Sequence, residues 1–347
     1  MPGLFISALT AFLFVLLSTP LFRGIAFKFR IVDFPGKRKM HKTMTPLLGG
    51  LAIYTGFALG IFMNPGILRG ILPILIGSVI ILLLGLLDDI RGLSARSRLF
   101  VQLVAAMTVV FFGDRINFLP ASWWGNTIEI IVSLIWILGI TNGYNYLDGL
   151  DGLAAGSAVI NLGCFAIILF ITGQSSLFVL AVVLAAACLG FLPYNFMKAR
   201  KKVFLGDAGS TVIGFILASI GLVGYWAEGD VVRLSIPILI LGVPIFDMVF
   251  TTAMRIAERK IKTVGEWLKY AGKDHFHHYL FDIGLASSGA VIFIYFTSIL
   301  LGLSAIIVSR AYPIMALLAV AQGFIIFGMI GALIVLGNRR RSGDNKR

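Results

Sequence analysis

Apolar residues run along this chain in long blocks, separated by short segments that hold most of its charge. The blocks lie at 4–22, 47–63, 70–87, 99–112, 128–142, 154–172, 176–194, 208–226, 235–255, 290–309 and 313–337. They lack the two-residue alternation of a barrel strand, and most approach the roughly 20 residues a helix needs to cross a bilayer. The pattern predicts an all-α integral membrane protein of about eleven transmembrane helices. The fourth block is short. The ninth carries Asp247 together with Pro237 and Pro244, and the two prolines predict a kink or break there. No basic residue precedes the first block, and Arg23, Lys28 and Arg30 follow it, the order of a first membrane helix rather than of a cleaved signal.

Composition agrees that lipid is the solvent: 59% of the 347 residues are hydrophobic and 13% charged, with a mean hydropathy of +0.97. Cys164 and Cys188 both fall inside apolar blocks, where they read as small packing residues, so neither a disulfide framework nor a thiol metal site is expected. A net charge of +13 raises nucleic acid as a partner. The basic residues, however, occupy short loops between apolar blocks, where membrane orientation and anionic lipid account for them, so no nucleic acid is expected. On one side of the predicted membrane lie only Arg69, Arg115, Arg233 and Arg310, against 25 Lys and Arg on the other. The positive-inside rule then puts the amino terminus outside and the carboxyl terminus in the cytoplasm. Without an internal repeat, the chain reads as one catalytic membrane domain over 1–337 and a basic cytoplasmic tail over 338–347.

Twelve of sixteen acids and all four histidines fall on that same basic side. Asp88 and Asp89 end the third block; adjacent carboxylates repel, and either a divalent cation or simple solvation with Arg91 as partner relieves them. Asn142, Asn145, Asp148 and Asp151 lie at the end of the fifth block in an Asn/Asp/Gly-rich segment that has no Lys or Arg, readable as a ligand loop or as a turn. Asn195 closes the seventh block, Lys198, Arg200, Lys201 and Lys202 follow, and Asp207 opens the eighth between glycines. That position suits a helix N-cap, and equally a magnesium ion carrying phosphates. His275, His277 and His278 lie in the longest loop on this side; as donors to an anionic or sugar ligand they fit better than as zinc ligands. Asp247 reads either as a helix-to-helix hydrogen bond or as a site residue.

Together these segments resemble the polyprenyl-phosphate N-acetylhexosamine-1-phosphate transferases, glycosyltransferase family 4. The likeness rests on Asp33-x-Pro35-x-x-Arg38-Lys39-x-His41 before Pro46-x-x-Gly49-Gly50, Asp88-Asp89 with Arg98 and Gln102, and Asn142-x-x-Asn145-x-x-Asp148-Gly-x-Asp151-Gly. Gly206-Asp207-x-Gly209-Ser210, Pro244-x-Phe246-Asp247 and His275-x-His277-His278 complete it. The His-x-His-His form resembles the UDP-GlcNAc:undecaprenyl-phosphate (WecA/TagO-type) branch, with the phospho-MurNAc-pentapeptide transferases as the alternative. Gly272 departs from the Asp that many relatives place before the histidines, and Met248 from a common Thr.

The resemblance implies that undecaprenyl phosphate attacks the β-phosphorus of a UDP-N-acetylhexosamine at the cytoplasmic face of a bacterial inner membrane, releasing UMP. It implies Mg2+, or Mn2+ in its place, on Asp207, and Asp88 as base or phosphate-positioning acid with Asp89 in support. Lys42, Arg98, Asn142, Asn145, Asp148, Asp151, Asn195, His275, His277 and His278 would bind substrates, and a homodimer is allowed. A secondary transporter is the rival from another class, but its ionisable residues would lie near the midplane and its halves would repeat; here only Asp247 lies deep.

Overall fold

The computed structural model describes residues 2–34, 43–113, 118–197, 201–226, 230–270, 272, 274–282, 284–310 and 312–344. It divides into two compact units, Met1–Tyr225 and Trp226–Arg347.

The first unit holds α1 (Pro2–Lys28), a two-stranded antiparallel hairpin of β1 (Val32–Asp33) and β2 (Thr45–Pro46), α2 (Gly49–Phe62), a 3-10 turn (Pro65–Ile67) and α3 (Leu68–Arg91). It continues through α4 (Ala95–Phe112), α5 (Trp123–Leu147), α6 (Leu153–Ile171), α7 (Ser175–Phe196) and α8 (Gly206–Val223). Serine side chains cap two of these helices, Ser94 accepting from the Ser97 amide at 3.2 Å and Ser122 from Gly125 at 3.1 Å.

The centre of this unit is α8, packed against α3, α5 and α2. Of its eighteen residues only Asp207 and Val223 are not buried. Small residues make that density possible, because backbones approach closely where side chains are absent. A Cβ at Gly85 of α3 would lie 2.3 Å from the Ala208 Cα, and one at Gly50 of α2 would lie 2.2 Å from the Gly209 nitrogen. By contrast α1 keeps Phe5, Leu17 and Leu21 exposed, as a helix bathed in hydrocarbon does.

The second unit holds α9 (Asp230–Ile240), α10 (Gly242–Ala257), the short α11 (Val264–Lys269) and α12 (Phe276–Asp282), α13 (Ser287–Val308) and α14 (Pro313–Asp344). Here α9 packs on α13 and α14, and α12 lies against the same two helices. The predicted break in the ninth block is present: the α9 and α10 axes diverge by 75°. Pro244 sits in the first turn of α10, where its missing N–H disturbs nothing.

Among the described residues nine helices are long and apolar enough to cross a membrane, or ten with the bent pair counted as one span. The chain is thus an all-α, multi-pass membrane protein, with fewer such spans than the eleven apolar blocks. The difference is α2, whose 14 residues extend only about 21 Å, short of a hydrocarbon core of roughly 30 Å.

Candidate active site

The acid-bearing segments of the first unit meet at one end of it, around the start of α8. The chain enters this helix through Gly206 at φ +75°, a conformation that favours glycine. A Cβ there would also lie 2.6 Å from the Leu47 carbonyl and 2.7 Å from Asp89 Oδ2. Short α2 grips the entering segment: the Gly49 amide donates to the Phe204 carbonyl at 3.1 Å and the Gly50 amide to Leu205 at 2.8 Å. The open amides that begin any helix therefore hold the approach to α8.

The adjacent acids Asp88 and Asp89 divide their work. Asp89 accepts from the backbone amides of Asp207 at 2.9 Å and Ala208 at 3.2 Å, so a carboxylate from α3 caps α8. Asp88 turns to its own side, accepting from the Leu93 amide at 2.6 Å and from Arg98 Nη1 at 2.9 Å. Both pairs hold parts of the site in place. The carboxylate of Asp207 is the more open one, 38% exposed against 7% for Asp88. Its Oδ1 accepts from Asn145 Nδ2 at 2.7 Å, and its Oδ2 faces Arg98 Nη1 at 3.9 Å. Asn145 Nδ2 lies also 3.0 Å from Ser210 Oγ.

The remaining predicted residues occupy the edges of this cluster. Asn142 and Gln102 exchange amide hydrogen bonds of 2.9 and 3.4 Å, tying α5 to α4. Asp151 pairs with Lys202. Buried Asn195 accepts from the Gly152 amide and donates to the Val203 carbonyl at 3.0 Å, joining the turn after α5 to the segment that enters α8. Asp148 has its pKa pushed well above the usual carboxylate range by burial, then by the charges of Asp207, Asp89 and Asp151. Lys201 is exposed, and Lys42 lies outside the described residues.

In the second unit the histidine motif opens α12. His275 Nδ1 lies 3.4 Å from Asp247 Oδ2. His277 is buried, and neither ring nitrogen has a hydrogen-bond partner among the described residues. Burial, with His278 beside it, pushes its pKa down to about 3, so the ring is neutral near pH 7. His278 stays partly exposed, its ring centroid 4.3 Å from that of His277. Sequence reasoning missed Arg255, Thr251 and Asp274, which hold this motif; the signal for the first two was a polar residue every fourth position along α10, at 247, 251 and 255.

Among the described residues no three His, Cys, Asp or Glu side chains converge with the geometry of a metal cage. Zinc structural sites need such a cage. Magnesium usually takes one or two carboxylates and completes its shell with phosphate oxygens and water. The open Asp207 carboxylate, inside a cluster of acids that repel one another, fits that second pattern.

Comparison with known proteins extends these observations. The family model described as glycosyl transferase family 4 matches residues 71–225, from α3 to the end of the first unit. The chain is 36% identical over 313 residues to a probable undecaprenyl-phosphate N-acetylglucosaminyl 1-phosphate transferase of Bacillus subtilis, covering 88% of this chain and 85% of that protein. It is 33% identical over 324 residues to a decaprenyl-phosphate N-acetylglucosaminephosphotransferase of Mycobacterium leprae, covering 83% and 79%. An Escherichia coli K12 undecaprenyl-phosphate alpha-N-acetylglucosaminyl 1-phosphate transferase is 28% identical over 305 residues, covering 84% and 80%.

Proposed function

This chain belongs to glycosyl transferase family 4 and is a membrane transferase, and we propose that it transfers GlcNAc-1-phosphate from UDP-GlcNAc to undecaprenyl phosphate. The observation that carries the reading is the open Asp207 carboxylate at the capped start of α8, between Asn145 and Arg98 and among acids that repel it. The names of the relatives support the sugar and the polyprenyl acceptor.

In the reaction a lipid phosphate oxygen attacks the β-phosphorus of UDP-GlcNAc. The new O–P bond forms as the bond from that phosphorus to the bridging oxygen breaks, and UMP leaves with that oxygen and its electron pair. Protein catalysis of such a step is mainly positioning and charge stabilisation. A phosphate monoester, with a second pKa of about 6, is already largely dianionic near neutral pH. A strong base is not needed, and Asp88 acts by orienting Arg98. The guanidinium gives Nη1 to Asp88 and has further N–H donors for a phosphate oxygen. Asn145 orients Asp207, the residue that would hold magnesium. When bound, the ion supplies positive charge for the diphosphate oxygens. Asp148 and Asp151 line the nucleotide side, and the partly exposed His275 and His278 contact the sugar nucleotide.

The excess of basic loops supports an amino terminus outside, a carboxyl terminus in the cytoplasm and a site at the cytoplasmic face of a bacterial inner membrane. Purified protein with magnesium, undecaprenyl phosphate and UDP-GlcNAc should release UMP in step with a lipid-linked product, and a chelator should stop it. Release from the UDP-MurNAc-pentapeptide nucleotide instead, or turnover undiminished by chelation, would overturn the sugar or the metal assignment respectively.

A further inference from the structure

One face of α10 carries Asp247, Thr251 and Arg255, each four residues from the next and so stacked along the helix. All three are buried, with exposures of 0, 2 and 3%. Ionisable groups so placed must find partners, and the partners here are three consecutive residues, Asp274, His275 and Phe276.

Arg255 grips Asp274 with both arms of its fork, Nε donating to Oδ2 at 3.0 Å and Nη2 to Oδ1 at 2.7 Å. The guanidinium lies over the Tyr270 ring, 4.7 Å from its centroid. Thr251 Oγ1 lies 3.2 Å from the Asp274 carbonyl and 3.0 Å from Asp247 Oδ1. Asp247 Oδ1 accepts from the Phe276 amide at 2.7 Å, and its Oδ2 faces His275 Nδ1 at 3.4 Å. Gly272 leaves the space for this arrangement: a Cβ there would stand 2.7 Å from Asp274 Oδ1 and 2.3 Å from Tyr270 Cε1. The next residues are His277 and His278, whose ring directions follow from how 274–276 are held, because the His275 carbonyl accepts from the His278 amide at 2.8 Å as α12 begins.

We propose that Arg255 and Asp274 are positioning residues for the transfer reaction: their two-armed ion pair, with Thr251 and Asp247, sets the direction in which His275 and His278 meet the sugar nucleotide. The proposal rests on the reading that those histidines contact UDP-GlcNAc. Arg255 is held by a carboxylate within its own unit, so its effect on turnover passes through the histidine segment. Lysine keeps the charge but has no planar fork, so Arg255→Lys removes the second arm selectively.

The test is a double-mutant cycle on the full-length enzyme in detergent, reading UMP release with UDP-GlcNAc varied at saturating undecaprenyl phosphate. Arg255→Lys alone should lower kcat/KM for UDP-GlcNAc by about 10- to 100-fold, with the KM for undecaprenyl phosphate unchanged. In a background of His275→Ala with His278→Ala the same change should cost less than about threefold, because the groups it positions are gone. Asp274→Glu, which keeps both charges and alters only reach, should behave the same way and carries the test if Arg255→Lys folds poorly. Equal losses in both backgrounds, or no loss in either, would overturn the positioning role. Wild-type turnover by His278→Ala would instead defeat the histidine-contact reading beneath it.

Discussion

The start of α8 in the first unit and the histidine segment of the second are both built from buried charge, yet they treat it in opposite ways. Around α8, among the described residues, acids outnumber the cations that meet them: Asp88 and Asp151 have basic partners, Asp89 is held by backbone amides, and Asp207 remains open with Arg98 3.9 Å away. Along α10 the two-armed pair of Arg255 and Asp274 neutralises its charges within the protein. Repulsion that the fold leaves in place is what a bound cation would relieve, whereas a closed ion pair leaves a ligand little to add. On the proposed reading, the contrast separates groups that would meet the ligand from groups that hold other groups in position.

Asp207→Asn tests that contrast most severely. A neutral amide is a poor magnesium ligand, so turnover should fall by about a thousandfold or more while Asn145 and Asp89 keep α8 in place. UMP release and thermal unfolding on the same preparation check this; turnover near wild type would end the metal assignment. Asn195→Ala should damage the scaffold instead. It strips partners from the Gly152 amide and the Val203 carbonyl, at about 1–3 kcal/mol for each buried group left unsatisfied. A lowered Tm is expected, and an unchanged Tm with lost turnover would move Asn195 to the ligand side of the comparison.

Acid should weaken the histidine segment. The folded pKa of His277, about 3, is below an unfolded value of about 6.5, so its stabilising contribution is full above pH 6.5 and declines as pH falls toward 3. Between pH 7 and pH 5 this amounts to about 2 kcal/mol. His277→Gln should therefore flatten the fall in Tm over that range, and equal slopes for both proteins would show that the ring is not shut in. The smallest effect is expected at Asp89. Asp89→Ala should cost about 1 kcal/mol through the lost cap on α8, with a raised magnesium requirement as Asp207 loosens, while Asp89→Asn, which keeps an acceptor oxygen, should recover part of both. An Asn variant as impaired as Ala would point to a need for the charge itself.

Much of this was legible along the chain. The Asp88-Asp89 pair, the Asn142–Asp151 segment and the Gly206-Asp207 turn were visible as chemistry because charge beside lipid is costly and therefore informative. Their division of labour was not. Neighbouring residues on a helix point about 100° apart, so Asp88 reaches toward α4 and Asp89 toward α8, and no local pattern names a partner 118 positions away. Asn195 illustrates the same limit: an amide beside a basic run suggests phosphate, yet its bonds run to two backbone groups of its own unit.

Hydropathy alone established the helical class, the placement of the apolar blocks and, through Pro237 and Pro244, the break between α9 and α10, since burial of backbone polar groups in lipid leaves few alternatives to a helix. Tertiary packing decided that α2 is too short to count as a span yet brackets α8, and that the approach of Gly50 and Gly85 to α8 buries nearly all of that helix around Asp207. It also decided that Arg255 holds the histidine segment through Asp274. The physical reason is range. Hydrophobic transfer acts on each block independently and is summed along the chain, whereas a hydrogen bond or ion pair exists only when two distant groups come within about 3 Å.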